Sequence, residues 1–364
     1  MKLVNSGSES IRAAALESRT AGPVRRAARY ALPIVKLGMR RLLQEKSPFQ
    51  MTLSLTNRCN FRCTYCEIPL QQSDEMSTAE WLAAIDELRA GGMGRASIMG
   101  GEPLLRKDVG AIVRHLKRRG VHASLNTNGW LVAERIDDIG PLDLVCVTLD
   151  GPEQIHDRQR HPGSYARVIR AIEVLRQHQV PVVTMTVVTP AGIDHVDHVL
   201  EVARAHGIRA YFQLEHDKHM DVRQPISPEL SQARVGRLAR HLGDLKRRGL
   251  PVGNSYAALE RQEAERYLIT CDHCHAGSYF GYVFSDGTVS HCIFTRAQVE
   301  RGNGRARGYV RAFHELGAPT GPGCSCVPTH EVNHILDFDA RVLFDALNVS
   351  LRSAVRRVSH IAAE

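Results

Sequence analysis

Three cysteines in the run Cys59-Asn-Phe-Arg-Cys63-Thr-Tyr-Cys66 are spaced CxxxCxxC, close enough for one loop to present three thiolates together. Three thiolates can hold three corners of a cubane iron–sulfur cluster and leave the fourth iron without a protein ligand. An iron left open in this way can chelate an external molecule through an amino and a carboxylate group. The alternatives are a four-cysteine ferredoxin cluster and a zinc site. Zinc favours paired CxxC motifs and four protein ligands, and no fourth cysteine lies nearby in the sequence. A second group lies towards the C-terminus: Cys271-Asp-His-Cys274, then Cys292, then Cys324-Ser-Cys326. Four of these thiolates would suit zinc in geometry as well as iron and sulfide. The ninth cysteine, Cys146, sits in the apolar run Leu144-Val-Cys-Val147 and reads as a small buried residue. His273, His275, His291, His330 and His334 fall near the second group, but with 18 histidines in the chain they are read as ordinary residues.

These groups need elements to carry them. From residue 50 onward, short β-like runs alternate with helical periodicities: strands over 51–56, 96–99, 121–126, 143–149, 181–188 and 209–214, and helices over 78–90, 108–119, 131–138, 164–178 and 194–206. That alternation predicts βα units and a parallel sheet. About six units are present, so the expected fold is α/β: a partial (β/α)6 TIM-type barrel, short of the full eight strands. In such folds the chemistry sits at the C-terminal ends of the strands. Four motifs fall there in succession. The first cysteine loop follows the first strand, and Gly100-Gly101-Glu102-Pro103 follows the second. Asn126-Thr-Asn-Gly129 ends the third, and Thr148-Leu-Asp-Gly-Pro152, continued by His156-Asp157 and Arg160, ends the fourth. Adjacent glycines let a backbone approach a ligand closely, and Glu102 offers an acceptor for an ammonium group. Beyond 215 a helical connection over 227–248 leads to a hairpin over 281–291, with Asp286-Gly287 at its turn. An amphipathic helix is expected over 339–364.

Taken in this order, the motifs resemble the radical S-adenosylmethionine (SAM) superfamily over roughly residues 50–215, with Thr148 where Ser is usual. The resemblance implies that Cys59, Cys63 and Cys66 hold a [4Fe-4S] cluster that cleaves SAM reductively to a 5′-deoxyadenosyl radical. It places Gly100, Gly101, Glu102 and Pro103 along the methionine end of SAM. It also places Asn126, Asn128, Thr148 and Asp150 near its ribose and carboxylate, and Tyr65 beside its adenine. The C-terminal cysteines resemble a SPASM or twitch extension, which implies an auxiliary [4Fe-4S] cluster on Cys274, Cys292, Cys324 and Cys326, with Cys271 able to replace one of the last two. Five cysteines fit the one-cluster twitch type better than the seven of SPASM, and CxC stands where CxxC is usual.

The domain plan is an N-terminal arm over 1–49, a barrel core over 50–215, a helical connection over 216–265, a small cysteine-rich α+β domain over 266–335 and a terminal helix over 336–364. The net charge of +8 is concentrated in the arm, where residues 1–50 carry ten Lys/Arg against three acids. The body is close to neutral, so no nucleic acid is expected as a partner. No export leader and no apolar run of membrane-spanning length is evident. With clustered cysteines this points to the cytoplasm. The arm mixes arginines with apolar residues and could touch the inner face of the membrane peripherally or dock a partner. Expected partners are a reductant such as flavodoxin or ferredoxin and a small-molecule, lipid or peptide substrate. The leading expectation is hydrogen abstraction from an unactivated C–H bond, the auxiliary cluster assisting oxidation or substrate binding. The alternatives are a peptide-modifying maturase or epimerase and, from another class, a non-catalytic iron–sulfur electron-transfer or sensing protein.

Overall fold

Alternate burial sets the strands. In β3 (His122–Thr127) and β5 (Val182–Val188) every second side chain is fully buried and its neighbour only half-buried, the period of a sheet covered by helices on one face. The computed structural model describes residues 35–216, 229–264, 274–293, 295, 302–319 and 326–337. Cys271, Cys324, the arm before residue 35 and the predicted terminal helix over 339–364 lie outside them.

The remaining strands are β1 (Gln50–Ser54), β2 (Arg95–Met99), β4 (Leu144–Thr148), β6 (Arg209–Leu214), β7 (Phe280–Val283) and β8 (Val289–Ser290). They form one eight-stranded sheet in the order β6-β5-β4-β3-β2-β1-β7-β8. Neighbours are parallel except β7 and β8, which pair antiparallel as the predicted hairpin. The hairpin was expected, its place was not: β7 adds to the edge of β1 in parallel, Gln50 opposite Phe280. A segment more than 200 residues downstream thus supplies a seventh parallel strand to the barrel.

Helix α1 (Thr78–Ala90) starts at a capping box, Ser77 accepting from the Glu80 amide while Glu80 reaches back to the Ser77 amide. Its Trp81, Ile85 and Leu88 are fully buried. The helices α2 (Val109–Arg118), α3 (Ile136–Ile139), α4 (Glu153–Gln159), α5 (Ser164–Gln177) and α6 (Val196–Ala205) follow in turn. The helix expected over 131–138 is reduced to the short α3, and α4 was not anticipated. Met51, Leu53, Ile98, Leu125, Val145 and Val147 form the outer, fully buried face of the sheet, in one core with the helices.

The other face carries Thr52, Ser97, Ser124, Asn126, Met185 and Tyr211, all half-buried. The sheet curls around this face. Arg95 of β2 and Tyr211 of β6 are four strands apart, about 19 Å on a flat sheet, yet each perturbs the pKa of the other. The lumen so enclosed is bridged at β6 by α7 (Val327–Leu336), whose first amide donates to Gln213 Oε1 at 2.5 Å. Farther along α7, Asn333 Oδ1 accepts from the His275 amide at 2.8 Å, on the approach to β7.

Candidate active site

The loop that leaves β1 is fastened at both ends before it presents any cysteine. Glu75 accepts from the Thr56 hydroxyl and from the Asn57 amide at 3.1 Å. Asn57 in turn donates to Gln71 O at 3.2 Å and accepts from the Ser285 hydroxyl at 3.1 Å. The buried Arg106 guanidinium spans the loop, donating to Leu55 O and Met76 O at 3.0 Å each. Ser285 lies at the β7–β8 turn, so the late hairpin helps to hold the early cysteine loop.

The Gly100-Gly101 pair lies directly against that loop. The Gly101 amide donates to Thr56 O at 2.7 Å, and the Glu102 amide to Arg58 O at 2.8 Å. A Cβ on Gly100 would stand 2.3 Å from Thr56 O, one on Gly101 2.3 Å from Arg58 O, and Gly100 has φ +149°. Two backbones in contact leave no room for a side chain, which accounts for both glycines. Beneath the loop, Phe61 stacks on His161 with centroids 5.2 Å apart and meets Trp130 edge-on at 5.6 Å.

Asn128 links the third strand end to the loop. Its Nδ2 donates to Asn60 Oδ1 at 2.8 Å and points at Cys59 Sγ, 4.0 Å away. Its amide donates to Glu102 Oε2 at 2.8 Å, while Glu102 Oε1 accepts from Leu104 N at 3.0 Å and from the Thr127 hydroxyl at 2.9 Å. Glu102 is wholly buried. Its oxygens are engaged in joining the second and third strand ends.

At the fourth strand end Asp150 gathers four donors or neighbours. Its Oδ2 accepts from Arg160 Nε at 2.6 Å and from the Tyr65 hydroxyl at 2.7 Å. Its Oδ1 accepts from the Val187 amide at 2.8 Å. The Asp150 amide donates to His156 Nδ1 at 3.1 Å. Arg160 also lies over the Tyr65 ring, 5.5 Å from its centroid. This pair is sealed: the Arg160 side chain is 7% exposed and that of Asp150 0%. Burial drives His156 down to about 4, so it is neutral in its role as acceptor.

Burial raises the thiol pKa values of Cys59, Cys63 and Cys66, Cys63 to about 11. Arg160 pulls all three down, a single buried cation facing three prospective thiolates. Metal binding to such thiols releases their protons. Among the described residues, no three His, Cys, Asp or Glu side chains converge as the ligands of one ion would. A cubane spreads its thiolates over separate corners, and three thiols on one backbone-anchored loop fit that donor set.

Glu102 carries a pH-dependence. Burial, opposed by its three donors, lifts its pKa from 4.5 to about 7. Between these values the folded chain holds a proton that the unfolded chain has already released. Stability contributed by this group is therefore complete below pH 4.5 and falls as pH rises to about 7, by roughly 3 kcal/mol. Glu102→Gln should flatten that slope whatever it costs overall. Denaturant unfolding of both proteins at pH 5 and pH 7.5 measures it, and equal slopes would contradict the assignment.

Of the residues expected at the site, the structure brings together Cys59, Cys63, Cys66, Tyr65, Gly100, Gly101, Glu102, Asn128 and Asp150 at the C-terminal rim of the sheet. Pro103 is buried at the start of a short 3-10 turn. Asn126 and Thr148 lie on the inner face just below, Asn126 donating to Ser97 Oγ at 3.3 Å. Sequence reasoning did not mark Thr56, Asn57, Glu75 or Ser285 as the loop's anchors. Their partners lie up to 228 residues apart, and no local pattern signals such pairings. Arg160 was noted as part of a motif without a role.

In the second cysteine group, Cys274 accepts from Asn333 Nδ2 at 3.6 Å. Cys326 caps α7 and lies within electrostatic reach of Cys274; burial raises the thiol pKa of both. Cys292 follows β8, 3.6 Å from the Thr295 hydroxyl. His275 pairs with Asp337, and His291 meets Gly317 O at 2.9 Å.

Residues 53–203 match the profile of the Radical SAM superfamily, a stretch that begins inside β1 and ends in α6. Residues 53–203 thus carry a radical SAM domain of that superfamily. Members of it are enzymes that use a [4Fe-4S] cluster and SAM. The chain is 28% identical over 276 residues to an AdoMet-dependent heme synthase of Methanosarcina barkeri, covering 68% of this chain and 77% of that one. Its fold is similar to that of Streptococcus suis SuiB bound to S-adenosylmethionine, with a TM-score of 0.60 at 14% identity, over 77% of this chain and 67% of that one. It is similar also to anSMEcpe with bound AdoMet, with a TM-score of 0.60 at 21% identity, over 74% and 81% of the two chains.

Proposed function

We propose that this radical SAM enzyme abstracts a hydrogen atom from an unactivated C–H bond of a small-molecule, lipid or peptide substrate held in the barrel lumen. The observation that carries this is the convergence of the cysteine loop, the Gly100–Glu102 strand end and the buried Asp150–Arg160 pair on one rim, above the half-buried polar residues of the sheet's inner face. When bound to Cys59, Cys63 and Cys66, a [4Fe-4S] cluster supplies the electron that opens the C–S bond of SAM. The chain's own residues then have separable tasks. Arg160 offsets the negative charge of three thiolates in a buried setting where few counter-charges exist. The glycines keep the second strand end against the loop, and Asn128 orients the loop through Asn60. The aromatic packing of Phe61, Trp130 and His161 keeps water from its underside. Electrons come from a reductant of the flavodoxin or ferredoxin kind.

Two similarities support keeping the small-molecule and the peptide class. One relative in sequence is a heme synthase, and structures of like fold include SuiB bound to the precursor peptide SuiA. Within this proposal, Cys274, Cys292, Cys324 and Cys326 supply an auxiliary [4Fe-4S] cluster, with Cys271 able to replace one of the last two, and the protein works in the cytoplasm. No helix among the described residues is long and apolar enough to cross a membrane. Residues 35–42 are helical and expose Val35, Met39 and Leu42 beside Lys36 and Arg41, which suits peripheral contact with an anionic membrane face.

The test is anaerobic reconstitution followed by iron analysis and 5′-deoxyadenosine release with SAM and dithionite. Native protein should bind about eight irons if both clusters form. The Cys59/Cys63/Cys66→Ala triple variant should keep about four and release no 5′-deoxyadenosine. Product formation by the triple variant would refute the assignment. A full cluster without SAM cleavage would favour an electron carrier.

A further inference from the structure

We infer that the lower end of the lumen, opposite the cysteine rim, is an oxyanion site in which Arg95 and Arg209 hold an acidic group of the substrate. The sheet register places both arginines on the inner face. Arg95 lies between Gln50 and His122 across β1, β2 and β3. Arg209 lies opposite Val183, which is itself opposite Cys146. Each is the first residue of its strand, followed by an outward-facing alanine that is buried in the core, Ala96 and Ala210. Tyr211, next on the inner face of β6, lies within electrostatic reach of both arginines. They therefore share one chamber although their strands are far apart in the sheet order.

Neither arginine side chain has a hydrogen bond or ion pair among the described residues, whereas most of the described arginines do. The acids that act on Arg95 and on Tyr211 have partners of their own. Asp143 is bound to Lys117 and to the Ala123 amide, and Glu331 accepts from the Ser255 amide at 2.7 Å. The surroundings register the excess of positive charge: burial and then Arg95 push His122 down to about 4. Arg95 is exposed to solvent at the start of β2, and the protein around it lowers its pKa, opposed by Asp143 and Tyr211.

A guanidinium is the side chain suited to binding carboxylate or phosphate through two hydrogen bonds. The four steps from Arg95 to Met99 span about 13 Å. A substrate seated with its acid between the arginines thus reaches the rim with a carbon roughly that far away. Thr52, Ser97, Ser124 and Asn126 line the path with hydroxyls and an amide. The substrate so described is elongated, acidic at one end, and carries its reactive C–H bond at the other. This role presupposes that the lumen is the substrate chamber proposed above.

The experiment uses reconstituted full-length protein with SAM present. Binding of suberate, of its neutral diamide and of inorganic phosphate is measured by calorimetry in the native chain, Arg95→Gln, Arg209→Gln, the double variant and Arg240→Gln. Arg240, on the helix over 232–247, makes the same charge change on the outer surface. Suberate should bind the native chain at least about tenfold more tightly than the diamide. Each single lumen variant should lose about tenfold and the double variant should lose binding, while Arg240→Gln changes nothing. Stronger, arginine-dependent binding of phosphate would assign a phosphoryl rather than a carboxylate end. No binding of either anion, equal binding of the diamide, or loss in Arg240→Gln alone would overturn the inference. Melting temperatures of the variants within a few degrees of native exclude unfolding as the cause of loss. 5′-Deoxyadenosine release by the native chain, measured alongside, separates the two proposals. Cleavage without arginine-dependent binding refutes only the oxyanion site, and binding without cleavage refutes only the radical chemistry.

Discussion

Gly101→Ala should cost this protein about a hundredfold in SAM cleavage. The added Cβ would stand 2.3 Å from Arg58 O and 2.7 Å from Asn57 O, both backbone atoms of the cysteine loop. Neither can yield as a flexible side chain would, so the loop itself must shift. The loop is tied to Glu75, Arg106 and Ser285, and a shift of the second strand end breaks the bonds from Gly101 to Thr56 and from Glu102 to Arg58. Overpacking of this kind costs about 1–3 kcal/mol in stability. A displacement near 1 Å at a reacting centre costs about a hundredfold in rate. Melting temperature and 5′-deoxyadenosine release after reconstitution give the two numbers. Native rates in Gly101→Ala would mean that the loop adjusts freely and that the glycine's closeness is incidental.

Arg160→Met should lower stability by about 3–5 kcal/mol, because it leaves Asp150 charged, buried and without its cation. Asp150 would keep the Tyr65 hydroxyl and the Val187 amide, but two neutral donors do not replace a guanidinium at 2.6 Å. For a chain of this size that is a fall of roughly 10 °C in melting temperature. The double change Arg160→Met with Asp150→Leu should be less damaging than the single one, since it removes both charges. SAM cleavage should fail in both variants, because the cation facing Cys59, Cys63 and Cys66 is gone from each. Calorimetry of the three proteins separates the ion pair's part in stability from its part at the cluster site. If the double variant melts as low as the single one, uncompensated charge is not the cause.

Much of the site was legible because its signals are local. Cys59, Cys63 and Cys66 lie within eight residues, and a chain so short can hardly keep them apart. Gly100 and Gly101 announced a close approach, though not to what: their contact is the backbone of Thr56–Arg58 as well as any ligand's. Glu102 was expected to offer an acceptor for an ammonium group. In the structure its oxygens accept from Leu104, Thr127 and Asn128, contacts set by which strand end lies next to it and not legible in the sequence. The helix expected over 131–138 is shorter because the chain turns at Gly129, with φ +84°, and stays in turns through residue 135. Apolar residues such as Leu131 and Val132 pack on the core without a helix around them.

The sequence by itself determined the class of chemistry and the order of the βα units, because both rest on short-range spacing: three thiols in one loop and apolar residues at periods of two and about three and a half. Only the tertiary structure decided what closes the barrel and what faces its interior. That Phe280–Val283 pairs with β1 depends on a free strand edge and a matching register, and neither is written in either segment alone. That Arg95 and Arg209 share a chamber with Tyr211 depends on the curl of the sheet. Curvature is the sum of the twist at every strand pair, a property no single strand encodes.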